Sequence, residues 1–192
     1  AEALGNALCA PIVKFVPEGN IDPPSGAMKY PGSISLSAGT YEALLSDIAS
    51  SLRQAGFSDI VMIGDSGGNQ RGMANVANKL RQSWQGEATR IHFIREFYDP
   101  GWVETEQYTE RELGVAQSAD DGYHDDIWVT AMMMVTDPEQ VRYQQRVEAG
   151  LAYINGVAIT PLADTIQLGQ EMIQFRAQYT AEAIRRALST GK

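Results

Sequence analysis

Residues 57–84 read FSDIVMIGDSGGNQRGMANVANKLRQSW. Ile60 to Ile63 form a continuous apolar run of strand length, GDSGGN (64–69) breaks it with three glycines, and an amphipathic helix is expected from about Asn69 or Gln70. Upstream, Ala38 to Gly56 places Tyr41, Leu44, Leu45, Ile48 and Leu52 at helical spacing and stops at a glycine suited to a helix C-terminus. Helix, fully apolar strand and helix in succession predict a parallel sheet covered on both faces. The expected fold class is therefore α/β, a three-layer α/β/α sandwich with a mainly parallel sheet. GDSGGN then lies at the carboxyl end of a strand, where such folds place their ligands.

The flanking segments add detail. PEGNIDPPSGAMKYPGS (17–33) is too rich in Pro and Gly for a helix or a central strand, and predicts an ordered functional loop. The opening AEALGNALCAPIVKFV suggests the last turns of a helix running into a strand, with a further segment expected upstream. IHFIREFYD (91–99) alternates like a strand, and 101–118 is acidic and helical in character. Residues 131–135, AMMMV, are expected as a buried strand, with Met132, Met133 and Met134 in the core. Asp137-Pro138 then starts a helix, INGVAITPLADT forms a short hairpin or loop, and a long amphipathic helix runs from about Ala163 to Leu188. There is no internal repeat or linker, and 1–192 is expected to be a single domain.

The chain has 192 residues, 44% hydrophobic and 20% charged, and a formal net charge of -9. This composition suits a globular protein with a sizeable core. The acidic balance argues against nucleic acid and anionic membranes as partners, since both select clustered Lys and Arg. The single cysteine, Cys9, cannot form an internal disulfide and does not assign a redox compartment. With no apolar run of bilayer length and no secretory leader pattern, a soluble protein is expected, cytoplasmic or exported.

Five of the six letters of GDSGGN match the serine-protease nucleophile loop, but the chymotrypsin arrangement needs His and Asp before the Ser on an all-β scaffold. Here His92 and His124 both follow Ser66. An esterase with a Gly-Asp-Ser loop after its first strand is a second serine-based possibility, for which Asp121-Gly122-Tyr123-His124 has the required Asp-x-x-His spacing. In the simplest account the glycines permit a tight turn and Ser66 caps the helix. That account leaves Asp65, a charged residue at a strand end, without a role.

A wider pattern covers residues 4–85. YPGSISL (30–36) after a Pro-Glu-Gly loop, then a helix, then Gly-Phe, an apolar strand and GDSGGN, resembles the creatininase family of metal-dependent amidohydrolases, whose members carry Phe-Pro-Gly-Thr-Ile-Ser and Asn-Gly-His-Gly-Gly-Asn in that order. The chain departs from the family pattern in three places. Ser66 stands where the family has a metal-binding histidine. HDDIWVTAMM keeps His124 but has Val129 near the expected acid. The family's first metal-binding segment would precede residue 1, as would its N-terminal strand.

The resemblance implies hydrolysis of an amide or cyclic amide of a small molecule by metal-activated water, with zinc, manganese or magnesium as the ion. It points to Asp65, His124 and Asp126 as metal ligands, and to His124, Asp125 and Ser66 as catalytic candidates. Glu18, Asp22, Gly67, Gly68, Asn69 and Trp128 are the substrate and loop candidates. Asp65 could supply the ligand lost at Ser66. A diverged member that binds a small molecule or partner subunit without chemistry is the alternative, and a homo-oligomer is implied. Flanked by Ile91 and Phe93, His92 is expected to be structural, whereas Trp102 and Trp128 could wall a pocket.

Overall fold

A computed structural model describes residues 1–118 and 126–190. The chain divides into two compact units, one comprising Ala1–Asp99 with the chain from Thr180 onward, the other Pro100–Tyr179. The fold is α/β, with more helix than strand.

The first unit is built on the predicted helix-strand-helix succession. Helix α1 (Ala38–Gln54) starts where the Ser37 side chain accepts a hydrogen bond from Thr40 N–H, and buries Tyr41, Leu45 and Ala49 at intervals of one turn. It ends before Gly56, whose φ of +91° favours glycine. Strand β1 (Asp59–Met62) pairs in parallel with β2 (Arg90–Phe93), and α2 (Gly67–Ser83) makes the crossover. Ile60 lies opposite Ile91, and Val61 opposite His92.

Because side chains alternate across a strand, these two pairs serve opposite faces. Ile60 and Ile91 join Tyr41, Leu45, Met73, Val76, Leu80 and Trp84 in a core under α1 and α2. Val61 packs instead with Leu4, Ile94, Ala183, Ile184 and Leu188, the last three from the end of the C-terminal helix α6 (Leu162–Ser189). At the strand starts, Asp59 Oδ1 accepts from Arg90 Nη2 at 2.8 Å and pairs with His92 Nε2 at 2.9 Å, while Arg90 Nη1 donates to the Leu188 carbonyl. This clasp gives His92 the structural role expected of it.

The second unit contains α3 (Gly101–Arg111), α4 (Ile127–Thr136), the short α5 (Tyr143–Glu148), a two-residue hairpin of β3 (Tyr153–Ile154) and β4 (Val157–Ala158), and the first part of α6. Its core gathers Ile127, Met134, Ala152, Ile154 and Ile159. The hairpin was foreseen as a hairpin or loop, and α6 runs within a residue of its predicted limits.

Three expectations are corrected. AMMMV belongs to helix α4, not to a strand. The buried positions Ile127, Thr130, Ala131 and Met134 show the helical interval, and Met133 is exposed. An uninterrupted apolar run does not distinguish strand from helix by alternation, and methionine is a good helix former. The opening segment forms neither helix nor strand; it turns at residues 2–4 and then continues without regular secondary structure, with Val13 and Val16 packed on the first core. Helix α2 begins at Gly67, two residues earlier than expected, because Ser66 is its N-cap.

Two substitutions test this packing. A Cβ on Gly169 of α6 would stand 2.2 Å from the Ala131 carbonyl oxygen of α4, whereas one on Gly39 would meet nothing within 4 Å. Gly169→Ala should therefore lower stability by about 1–3 kcal/mol in denaturant unfolding, while Gly39→Ala should be neutral or stabilising by up to about 1 kcal/mol. Burial also pushes the Tyr41 phenol from 10.0 up to about 12. The neutral phenol is favoured in the folded state, so its contribution is complete below pH 10 and is lost as pH rises toward 12. Unfolding followed across that interval should show an alkaline loss that Tyr41→Phe reduces.

Candidate functional site

In the first unit, GDSGGN joins the end of β1 to the start of α2, as its position in the sequence predicted. Ser66 Oγ accepts from Gly68 N–H at 3.3 Å, the geometry of a helix N-cap. The Gln70 side chain reaches back over the turn, with Nε2 within 2.9 Å of the Gly64 carbonyl and 2.8 Å of both the Ser66 carbonyl and Asn69 Oδ1. Asn69 is buried beneath the turn, and Asp65 is exposed on it.

Backbone is pressed closely here. A Cβ on Gly68 would stand 2.0 Å from the Pro17 carbonyl oxygen, and one on Gly64 would meet Met73 Cε at 2.6 Å. The contact at Gly68 brings the Pro-rich loop against GDSGGN, joining residues about fifty positions apart in the chain.

Side-chain hydroxyls order that loop. Ser35, itself buried, accepts from Glu18 N–H at 2.9 Å and donates to the Gly19 carbonyl at 2.8 Å. Ser25 Oγ accepts from Asn20 N–H, and Ser33 Oγ donates to the Ala27 carbonyl. The result is an open concavity of about 810 Å³, with Glu18, Asp22, Ser37 and Gly68 in its lining. It carries two carboxylates and no Lys, Arg or His. Sequence reasoning singled out Glu18, Asp22 and Gly68, and missed Ser35 and Ser37 because small hydroxyl residues carry no spacing signal.

Asp126 and Trp128 belong to the second unit. Asp126 precedes α4, and its Oδ1 accepts from Gln117 Nε2 at 2.9 Å. The Trp128 ring lies 4.2 Å from that of Trp102, and the Arg176 guanidinium sits 3.3 Å over Trp102. The tryptophans thus pack on each other and on a cation, an arrangement that stabilises the unit itself. His124 and Asp125, together with the Asp121 of the esterase pattern, lie outside the described residues.

The described donors do not fit a metal site. Among the described residues no three His, Cys, Asp or Glu side chains come together, and Asp65 and Asp126 fall in different units. Asp126 Oδ1 is already engaged by an amide. Nor do the described residues supply Ser66 with an imidazole, since the His92 ring is held by Asp59.

An α/β protein with a glycine-rich turn closing a concavity at the carboxyl end of a parallel strand is thus defined, a general class of small-molecule sites. The model of the creatininase family, described as creatinine amidohydrolase, matches residues 1–184. The chain belongs to the creatininase family, a family of amidohydrolase type. No curated protein and no solved structure gives a significant match. Among the described residues, no helix is long and apolar enough to cross a membrane.

The turn can be tested by stability alone. Gly68→Ala should cost about 1–3 kcal/mol through displacement of the Pro17 carbonyl. As an N-cap, Ser66 should lose about 1 kcal/mol on Ser66→Ala and only a few tenths on Ser66→Gly. Equal losses in the two Ser66 variants would remove the capping role.

Proposed function

We propose that this chain is a creatininase-family hydrolase that acts on an amide or cyclic amide of a small molecule held in the concavity between the Pro-rich loop and GDSGGN. The observation that carries the proposal is the contact of Gly68 with Pro17, which joins two motifs of the family pattern around one open space at a strand end. Glu18 and Asp22 offer acceptors to N–H groups of a substrate, and the exposed Asp65 borders the same turn. On this reading β1 and β2, with helices packed against both faces, are the described part of a three-layer α/β/α arrangement. The proposal extends to a homo-oligomer with no nucleic-acid or membrane partner, in keeping with the acidic charge.

Water must be activated for amide hydrolysis, and in this family that chemistry is supplied by a divalent ion. Asp65 is the ligand proposed beside the concavity. The family resemblance names His124 and Asp126 as further ligands and His124 and Asp125 as proton-transfer residues, but Asp126 belongs to the other unit and its Oδ1 is engaged by Gln117, so it is not assigned to this concavity. A second reading, a family member that binds without hydrolysis, is favoured by Ser66: its hydroxyl caps α2 where the family pattern has a ligand.

Elemental mass spectrometry of the purified protein, combined with creatinine hydrolysis before and after a chelator, separates the readings. The hydrolase should carry about one or two ions per chain, lose activity on chelation and regain it with added metal, and lose the ion on Asp65→Ala or His124→Ala. Absence of metal and of hydrolysis, with creatinine still bound in calorimetry, would instead establish the binding protein. Activity that resists chelation but is blocked by a serine-directed phosphonylating reagent and by Ser66→Ala would point to the esterase.

A further inference from the structure

The GDSGGN turn is approached from two directions. Gly68 faces the Pro17 carbonyl, and Gly67 faces a tyrosine: a Cβ at position 67 would stand 3.0 Å from the Tyr98 hydroxyl oxygen and 3.7 Å from Tyr98 Cζ. The hydroxyl is therefore the leading atom of that side chain, and glycine leaves it room. The end of β2 supplies the placement. Ile94 N–H donates to the Met62 carbonyl at 3.0 Å, beside the end of β1, and a 3-10 turn (Arg95–Phe97) then delivers Tyr98, whose own N–H donates to the Arg95 carbonyl at 2.9 Å. All of these residues belong to the first unit.

Tyr98 is half-buried, and among the described residues its hydroxyl has no hydrogen-bond partner. Standard bond lengths and Cα spacing put the hydroxyl oxygen within about 8 Å of the Gly68 Cα, so one small ring can lie against the wall of the concavity and still reach it. Such a donor is what the concavity is short of. An amide offers N–H groups, which Glu18 and Asp22 can accept, and a carbonyl oxygen, which needs an N–H or O–H. Of the lining side chains only Asn20 and Ser37 can donate; Asn20 is exposed, and the Ser37 hydroxyl is engaged with Thr40 at the start of α1.

We propose that Tyr98 is a ligand-binding residue of this site: its O–H donates to the carbonyl oxygen of an amide whose N–H groups face Glu18 and Asp22. The assignment rests on the function proposed above and adds to it the donor for the carbonyl. In hydrolysis the same hydrogen bond strengthens as that oxygen gains negative charge, so the phenol also serves the transition state. No motif marks this residue, which lies beyond the stretch 4–85 that carries the family pattern. Parallel pairing of β1 with β2 brings it to the turn.

Two readouts on the full chain test this. Pyrrolidinone, a cyclic amide with one carbonyl and one N–H, is titrated into protein isotope-labelled at tyrosine Cζ and at the backbone amides, and resonances are followed by NMR. Tyr98→Phe removes the hydroxyl, keeps the ring and identifies the Tyr98 signal. Saturable shifts are expected at Tyr98 Cζ and at the Gly68 amide, with Kd raised about three- to tenfold in Tyr98→Phe. A saturable shift at only one of the two positions, or equal affinity in Tyr98→Phe, would overturn the role of Tyr98; a response at Gly68 alone leaves the concavity as the site. No shift at either position would overturn the concavity reading and the role of Tyr98 with it.

The second readout is creatinine hydrolysis. Tyr98→Phe should lower kcat about a hundredfold and change KM far less. Equal kcat in the two proteins would overturn the transition-state role. If the wild type does not hydrolyse creatinine, that result counts against the proposed activity only, and the titration still decides whether Tyr98 binds the carbonyl.

Discussion

The carbonyl of Pro17 stands where any side chain at position 68 would have to be. The first unit is organised around this approach of two stretches of backbone. It brings the Pro-rich loop to the N-terminus of α2, leaves the concavity open between them, and requires glycine at the point of contact. The approach is possible because β1 is short and its glycine-rich turn is tied down by Gln70 and capped by Ser66. Position 66 therefore contributes to the architecture of the turn whatever chemistry occurs beside it.

Hydrogen bonds from small side chains fasten the loops of both units. Ser35 stitches Glu18 and Gly19 to the segment before α1, and Asn155 joins Ser118 to Asp126. These groups stand in for a sheet ladder where the backbone is irregular, because buried N–H and C=O groups require partners. A loop fastened in this way has its backbone ordered by partners within the chain. Electrostatically, the concavity has no basic side chain to receive an anion, and its two carboxylates favour N–H-bearing molecules.

Much of the fold was legible where a simple period governs burial. Tyr41, Leu45 and Leu52 were read at helical spacing and pack on the first core, Ile60 to Ile63 marks a strand by continuous apolarity, and α6 follows its amphipathic pattern almost to the residue. The period failed at Ile127–Thr136, where nearly every side chain is apolar and alternation carries no information, although the buried set itself is helical. It failed again at the opening segment, whose apolar residues read as a strand yet have no strand partner among the described residues.

The candidate site divides along the same line. Ordered motifs and their glycines, visible in one dimension, determined the family and singled out the Pro-rich loop and GDSGGN as parts of the candidate site, because family patterns and tight turns are written in residue type and spacing. Which distant residues meet was decided by the tertiary structure. Pro17 against Gly68, Ser35 beneath Glu18, and Asn155 beside Asp126 are contacts between segments that no local period connects, and each depends on chain paths set by packing of the cores.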